Sequence, residues 1–165
     1  MTAIDPNAPA WQTDILACYP YVLERLKSVP QISQVLEAQD FADISSAQRR
    51  QIPADGTVYV ILDGYTPGSD NANRREQNME IGFSVILTKQ QVTPQPATNG
   101  VGQTITAIAK ALQGFDPTDE QGRALTTESF VQRKPLAVRY EDGFAFFPLR
   151  FTTVVAVISD NQQGR

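Results

Sequence analysis

One stretch near the C-terminal end decides the fold: residues 136–157 read LAVRYEDGFAFFPLRFTTVVAV. Apolar residues alternate with other residues on both sides of Asp142-Gly143, a pair that tolerates the positive φ angles of a tight turn. The stretch therefore predicts a β-hairpin that turns at Asp142-Gly143. Pro135 and Pro148 cannot donate a ladder hydrogen bond, so each should lie at a sheet edge, a strand start or a bulge.

Two further strands precede this hairpin. Residues 58–62 form a β-branched run that ends at Asp63-Gly64, which predicts a buried strand followed by a loop. In residues 79–88 apolar side chains occupy every second position, which predicts a strand with one apolar face. Together with the two halves of the hairpin, these runs make four predicted strands.

The chain also predicts two main helices. Apolar residues recur at three and four positions through residues 11–29, and Pro20 should either kink this helix or restart it from its own first turn. A second helix is predicted over residues 104–113, with Thr104 as the N-cap and Gly114 at its C-terminal end. The expected fold class is therefore α+β.

Some segments stay open on the sequence alone. Residues 31–41 fit either a strand or a helix, and residues 44–51 fit a short surface helix. We expect one domain over residues 1–165, with flexible ends at residues 1–10 and 159–165, because the length suits a single core and both ends are polar.

Composition narrows the range of functions. The chain has 165 residues, 41% apolar and 19% charged, as in an ordinary globular domain. Histidine is absent and Cys18 is the single cysteine, which argues against zinc sites and His-based triads and rules out an internal disulfide. The formal net charge of -4 offers no general attraction for nucleic acid. No apolar stretch of about 18 residues and no signal peptide is present, so a cytosol-type protein is expected.

Two motifs are candidates for ligand sites. Residues 99–104, NGVGQT, place two glycines before a helix, but they lack the Lys-Ser/Thr pair of a P-loop, so a plain linker is favoured. Asp63, Asp70, Glu76 and Glu80 could form an acidic metal or glycosidase-type cluster, but they show no EF-hand spacing and a solvated surface is favoured. The sequence indicates no catalytic residue, no cofactor and no metal ligand.

A polar segment is the first candidate for an interaction surface. Residues 65–77 read as a long polar loop, and such a loop in an otherwise ordinary domain suggests a partner. Arg74 and Arg75, next to Glu76, could pair with carboxylates of a neighbouring subunit, or they could be solvated loop charges.

Aromatic residues in the hairpin are the second candidate. Phe144 and Phe146 could contribute to an interface, whereas Phe147 and Phe151 are assigned to the core. Cys18 lies in the first helix with no His or Lys nearby, so it is interpreted as a core or boundary residue and not as a reactive thiol.

A longer pattern runs through nearly the whole chain, from about Asp14 to Ile158. It consists of VLERL (22–26), VLEAQDF (35–41), IPA (52–54), VYV (58–60), Gln77 followed by IGFSV (81–85), ALQGFDP (111–117) and the closing run 146–157. In this order the segments resemble the tail terminator proteins of long-tailed phages, including the Mu-like and prophage tail-terminator-like families. Phe115 stands where many of these relatives have tryptophan, and residues 56–60 match only loosely.

The resemblance implies a mixed, mainly antiparallel sheet flanked by the two helices, in a structural protein without catalytic activity. It implies a ring, typically of six copies, at the head-proximal end of the virion tail and assembled in the host cytoplasm. The implied partners are other copies of the chain, the tail tube protein, the head-tail connector or neck protein and the terminal ring of the sheath. DNA would pass through the lumen without specific binding, which an acidic surface favours.

Two other functions stay open at this stage. Another phage neck or tail-tube-like morphogenesis protein could share the α+β plan, and stacked tubes in place of single rings would distinguish it. A small-molecule enzyme would need two converging carboxylates in a deep pocket near residues 65–77.

Overall fold

The structure is a computed structural model that describes residues 5–39, 41–45, 53–70, 74–91 and 100–160. The elements in chain order are a 3-10 helix Ala10–Gln12, α1 Tyr19–Lys27, β1 Gln34–Glu37, α2 Ala42–Ser45, β2 Thr57–Asp70, β3 Glu76–Gln90, α3 Val101–Leu112, β4 Glu128–Arg133, β5 Arg139–Glu141 and β6 Phe144–Ile158. The α+β class is confirmed.

All described strands belong to one sheet. It has six strands in the order β1-β2-β3-β6-β4, and β5 pairs with β6 on the same side as β4. The β1–β2 pair is parallel and the other pairs are antiparallel, so the sheet is mixed and mainly antiparallel as expected. The predicted number of four strands was wrong: β1 lies in the segment left open, and β4 was not predicted.

The first predicted helix is divided into two pieces. Residues Ala10–Gln12 form a 3-10 helix, and α1 begins only at Tyr19 with Pro20 in its first turn. This confirms the restart alternative, because a proline inside a continuous helix would clash with the preceding turn. Trp11 Nε1 and Gln12 Nε2 donate to the carbonyl oxygen of Ala156 at 3.0 and 2.8 Å, which ties the 3-10 helix to the end of β6.

The other main helix, α3, begins earlier than predicted. Its N-cap is Gly100, with φ 74, so the assignment of Thr104 as N-cap was wrong. Thr104 lies in the first turn, where its hydroxyl donates to the carbonyl of Gly100 at 3.3 Å. Helix α3 ends one residue before the extended Gln113, and Gly114 follows with φ 73, close to the predicted end. Asn99 of the glycine motif lies outside the described residues.

The hairpin turn is confirmed at Asp142-Gly143. Their φ angles are 51 and 77, both positive, as a type I′ turn requires. The strand before the turn, β5, is shorter than the predicted residues 136–140. Pro135 lies between strands, and Pro148 pairs with Ile86 on one side of β6 only, in the gap between its β5 and β4 partners. Pro148 therefore meets the predicted restriction, whereas Pro135 lies outside any strand, in the connection between β4 and β5.

The sheet is apolar on both faces over part of its area. Because neighbouring residues of a strand point to opposite faces, β2, β3 and β6 each contribute to two clusters. The main cluster packs under α1 and α3 and includes Val22, Leu26, Val58, Val60, Phe83, Val85, Leu87, Ile108, Leu112, Leu149 and Phe151. The second cluster consists of Ile44, Tyr59, Ile61, Ile86, Phe144 and Phe146, with Leu36, Ala38 and Phe41 against it.

This packing confirms two sequence assignments. Phe147 and Phe151 lie in the main core, as predicted, and so does Cys18. The short helix predicted over residues 44–51 is described only in part: α2 is helical up to Ser45, the last residue described there, and residues 46–52 lie outside the described residues.

Candidate functional site

The predicted polar loop is mostly strand. Residues 65–70 are the second half of β2, and they pair with the first half of β3 from Tyr65 opposite Ile81 to Asp70 opposite Gln77. The loop prediction was therefore wrong for every part of this segment that the structure describes, apart from Arg74 and Arg75. We call the paired ends of β2 and β3, residues 65–70 and 76–81, together with Arg74 and Arg75, the arm.

Polar side chains stabilise the arm from within. Gln77 Nε2 donates to the carbonyl oxygen of Gly68 at 3.0 Å, and Asn78 Nδ2 donates to Ser69 Oγ at 2.9 Å. These cross-strand contacts add to the packing of Met79 and Ile81 on the main core and help a largely polar sequence to form a strand pair. β6 accompanies the arm on the other side of β3, up to Ile158 opposite Glu76.

The three charged residues proposed for an interface lie at the arm's end. Arg74, Arg75 and Glu76 are all exposed, and Arg74 has a positive φ of 55. The carbonyl oxygen of Arg75 accepts a hydrogen bond from the backbone N–H of Ser159 at 2.7 Å, which joins the arm to the end of β6. Their exposure is compatible with a partner contact, and their interface role stays a prediction.

Phe144 and Phe146 have a different setting from the one proposed. They are 5% and 0% exposed and lie in the second cluster, where Phe146 meets Phe41 edge-on at 5.3 Å between ring centroids. Exposure of these rings, on which an interface role would depend, is not found. That role stays a prediction, and their burial argues against direct contact with a partner.

The four carboxylates do not form a metal site, although Asp63 and Glu80 line the same small cavity. Among the described residues, no group of three or more His, Cys, Asp or Glu side chains could hold a metal ion. Asp63 accepts hydrogen bonds from Ser84 Oγ at 2.9 and 2.8 Å and from Arg150 Nε at 3.2 Å. Glu80 lies 3.7 Å from Arg133. Asp63 and Glu80 thus pair with cations across the sheet.

A small polar cavity lies over this part of the sheet. Its volume is about 100 Å³, and it is lined by Asp63, Gly64, Tyr65, Thr66, Glu80, Gly82 and Arg150. A Cβ on Gly82 would come within 3.1 Å of Arg150 Nη2, so the glycine lets the guanidinium lie flat against the sheet and reach Asp63. A cavity of this size holds a few water molecules or one polar side chain.

The thiol of Cys18 is buried and unreactive. Its side chain is fully buried in the main core, and burial raises the pKa of its thiol to about 12. Since the thiolate is the reactive form, this thiol is protonated at physiological pH. Its assignment as a core residue is confirmed.

Exposed apolar side chains were not anticipated as site residues. Leu136, Val138 and Tyr140 are 58%, 46% and 58% exposed in the connection that leads from β4 through β5. Leu62 and Tyr65 are exposed on β2. The alternation in residues 136–140 did indicate a strand, but alternation cannot show that neither face of that strand would be covered.

Comparison with known protein families identifies the family of the chain. Residues 13–162 match the family described as "Phage tail terminator protein". The chain belongs to this family. A tail terminator is a structural component of the phage tail, and the resemblance found in the sequence is confirmed. No curated protein matches the chain. In the described part of this tail terminator, no helix is long and apolar enough to cross a membrane.

The segment after α3, residues 113–115, covers the outer edge of β4 in this tail terminator. The N–H of Phe130 donates to the carbonyl of Phe115 at 3.0 Å, and its own carbonyl accepts from Gly114 at 2.8 Å. The N–H of Gln132 donates to the side-chain oxygen of Gln113 at 2.7 Å. Phe115 also packs against β4, with its ring centroid 5.9 Å from that of Phe130.

The outer side of β2 is covered only over its first half. β1 pairs with β2 up to Val60, and no described strand pairs with its outer side from Ile61 to Asp70. This edge is irregular: the pairing with β3 shifts register between Leu62 and Gly64 and again between Pro67 and Asp70. Bulges and proline are the usual means of keeping an edge strand from templating unlimited addition.

Proposed function

We propose that the chain forms a ring of six copies that caps the finished tail tube. In this role it ends tube polymerisation and presents the joining surface for the head-tail connector or neck protein. Its partners are its own copies, the tube protein, the connector and, in a contractile tail, the terminal ring of the sheath. The ring sits at the head-proximal end of the tail, and DNA passes through its lumen without specific binding.

The treatment of strand edges is the observation that carries this proposal. A terminator must bind the tube end but offer no surface on which another tube ring can grow. An open regular edge would template further addition. Here the edge of β4 is hydrogen-bonded to Gln113, Gly114 and Phe115, and the uncovered edge of β2 is broken by register shifts and Pro67. These two edges are therefore poor templates.

The enzyme alternative gains no support from the cavity. Ligand pockets of enzymes typically occupy about 300–1,000 Å³, whereas this cavity measures about 100 Å³. Its carboxylates are held by Arg150 and Arg133, so neither is placed as an unpaired acid or base. The arrangement suits the binding of a polar side chain.

Deletion of the gene in its phage tests the proposal. Without a cap, tubes should grow to uncontrolled length and fail to join heads, and electron microscopy of the lysate would show overlong or headless tails. Expression of the wild-type chain from a plasmid should restore normal tails. Tails of normal length joined to filled heads in the deletion lysate would rule the function out.

A measurement on the purified chain separates the neighbouring alternative. The purified protein alone should have the mass of a single closed ring, and adding tube protein should not make its own copies stack. Stacked tubes in negative stain would instead favour a tail-tube-like protein.

A further inference from the structure

Exposed apolar side chains concentrate at two edges of the sheet. Seven large apolar side chains are exposed among the described residues. Leu62 and Tyr65 lie on β2, past the end of its pairing with β1. Val131, Leu136, Val138 and Tyr140 lie on β4, on β5 and in the connection between them, and Ile158 ends β6. We call residues 62–70 the acidic edge and residues 131–140 the basic edge.

The two edges carry opposite charges. The acidic edge contains Asp63 and Asp70 and no basic residue, whereas the basic edge contains Arg133, Lys134 and Arg139 and no acidic residue. Asp70 and Lys134 are exposed, and neither forms an ion pair with another described residue. Asp63, Arg133 and Arg139 already interact within the chain, so Asp70 and Lys134 are the charges that the two edges present beside their apolar side chains, and their signs are opposite.

The two edges cannot satisfy each other within one chain. Strands β3 and β6 lie between β2 and the β4–β5 side of the sheet. Three strand spacings separate the edges, or roughly 14 Å at the usual distance between neighbouring strands. Complementary surfaces at opposite edges of one subunit instead match a head-to-tail contact between copies, in which every copy uses both surfaces. Such contacts form a ring when the rotation between copies closes.

We propose that neighbouring copies of the chain join by docking the basic edge of one copy on the acidic edge of the next. Leu136 and Val138 cover Leu62 and Tyr65, and Lys134 lies near the carboxylate of Asp70. The register shifts of β2 limit main-chain pairing, so side chains carry most of the contact. This inference rests on the proposed ring and names the surfaces that build it.

Two double variants test the inference on the full-length protein. Leu136→Asp with Val138→Asp disrupts the basic edge, and Leu62→Asp with Tyr65→Asp disrupts the acidic edge. Because all four side chains are exposed, both variants should keep the wild-type circular dichroism spectrum. In light scattering after size exclusion, each alone should shift from ring mass to single-chain mass. Gln103→Asp is the control: this exposed side chain in the first turn of α3 belongs neither to the two edges nor to the arm, so the ring should persist.

Mixing the two variants tests the head-to-tail geometry. Each retains one intact edge, so an equal mixture should form a dimer of one copy of each and nothing larger. Charge reversal provides a second test: Asp70→Lys and Lys134→Glu should each weaken assembly, and the two changes combined in one chain should recover it.

The outcomes separate this inference from the proposed function. If the wild-type protein forms rings and both double variants do so as well, the ring stands and these edges are not its interface. If the variants keep the ring but lose binding to tube protein, the edges dock the tube, and the inference is wrong. A wild-type protein that stays monomeric, alone and with tube protein, overturns both proposals.

Discussion

Replacing Gly143 with valine should destabilise the protein through the backbone alone. The φ of Gly143 is 77, and no heavy atom lies within 4 Å of the position that a Cβ would take. The cost is therefore conformational and not a clash with neighbours. A left-handed conformation costs an L-residue about 1–2 kcal/mol, and a β-branched side chain raises that cost, so we expect about 2 kcal/mol. For a chain of this size, that free energy lowers Tm by roughly 4–8 °C.

Thermal and urea unfolding, followed by circular dichroism, would measure this loss. Gly143→Asn is the matched variant, because asparagine tolerates the left-handed region, and it should retain most of the stability. Gly102→Ala is a second control: Gly102 lies in the first turns of α3 without a positive φ and with open space around it, so alanine should stabilise by about 0.5 kcal/mol. An unchanged Tm for Gly143→Val, or an equal loss for Gly143→Asn, would refute the backbone account.

Three further predictions concern the core, the thiol and the arm. Phe130→Ala removes a fully buried ring and should cost about 3–5 kcal/mol in urea unfolding, and a loss below about 1 kcal/mol would contradict the packing around β4. Cys18 should resist alkylation at pH 8 in the folded protein and react once the chain is unfolded, because burial raises its pKa to about 12; rapid modification of the native chain would contradict this. Changing Arg74 and Arg75 together to Glu should weaken assembly, measured by mass and tube capping, while the melting temperature of the isolated chain stays within about 2 °C of wild type; intact capping would show that these side chains are merely solvated.

Local patterns determined much of the fold from the sequence. The turn at Asp142-Gly143 followed from two residues that tolerate a positive φ, and the restart of α1 followed from Pro20. The alternation in residues 79–88 identified β3, and the periodicity before Gly114 identified α3. Each signal comes from a few neighbouring residues. The backbone preference behind it is therefore present without any tertiary contact.

Strands that depend on distant partners escaped sequence reasoning. β4 reads ESFVQR, with only Phe130 buried, and it is a strand because β6 and the segment around Phe115 provide its hydrogen bonds. Residues 65–70 looked like a loop because they are polar, yet pairing with β3 makes them strand. Polarity predicts exposure, and an exposed backbone can still be paired.

For the candidate site, too, some conclusions followed from the sequence and others only from the tertiary structure. The sequence alone was enough to indicate the family, to show that no histidine is available for catalysis and to suggest Arg74 and Arg75 as interface residues. These conclusions depend only on which residues are present and in what order. Only the tertiary structure decided that Phe144 and Phe146 are buried while Leu136 and Val138 are exposed. Alternation assigns side chains to the two faces of a strand, but which face is covered depends on elements far away in the chain, here α2 and the helices over the main core.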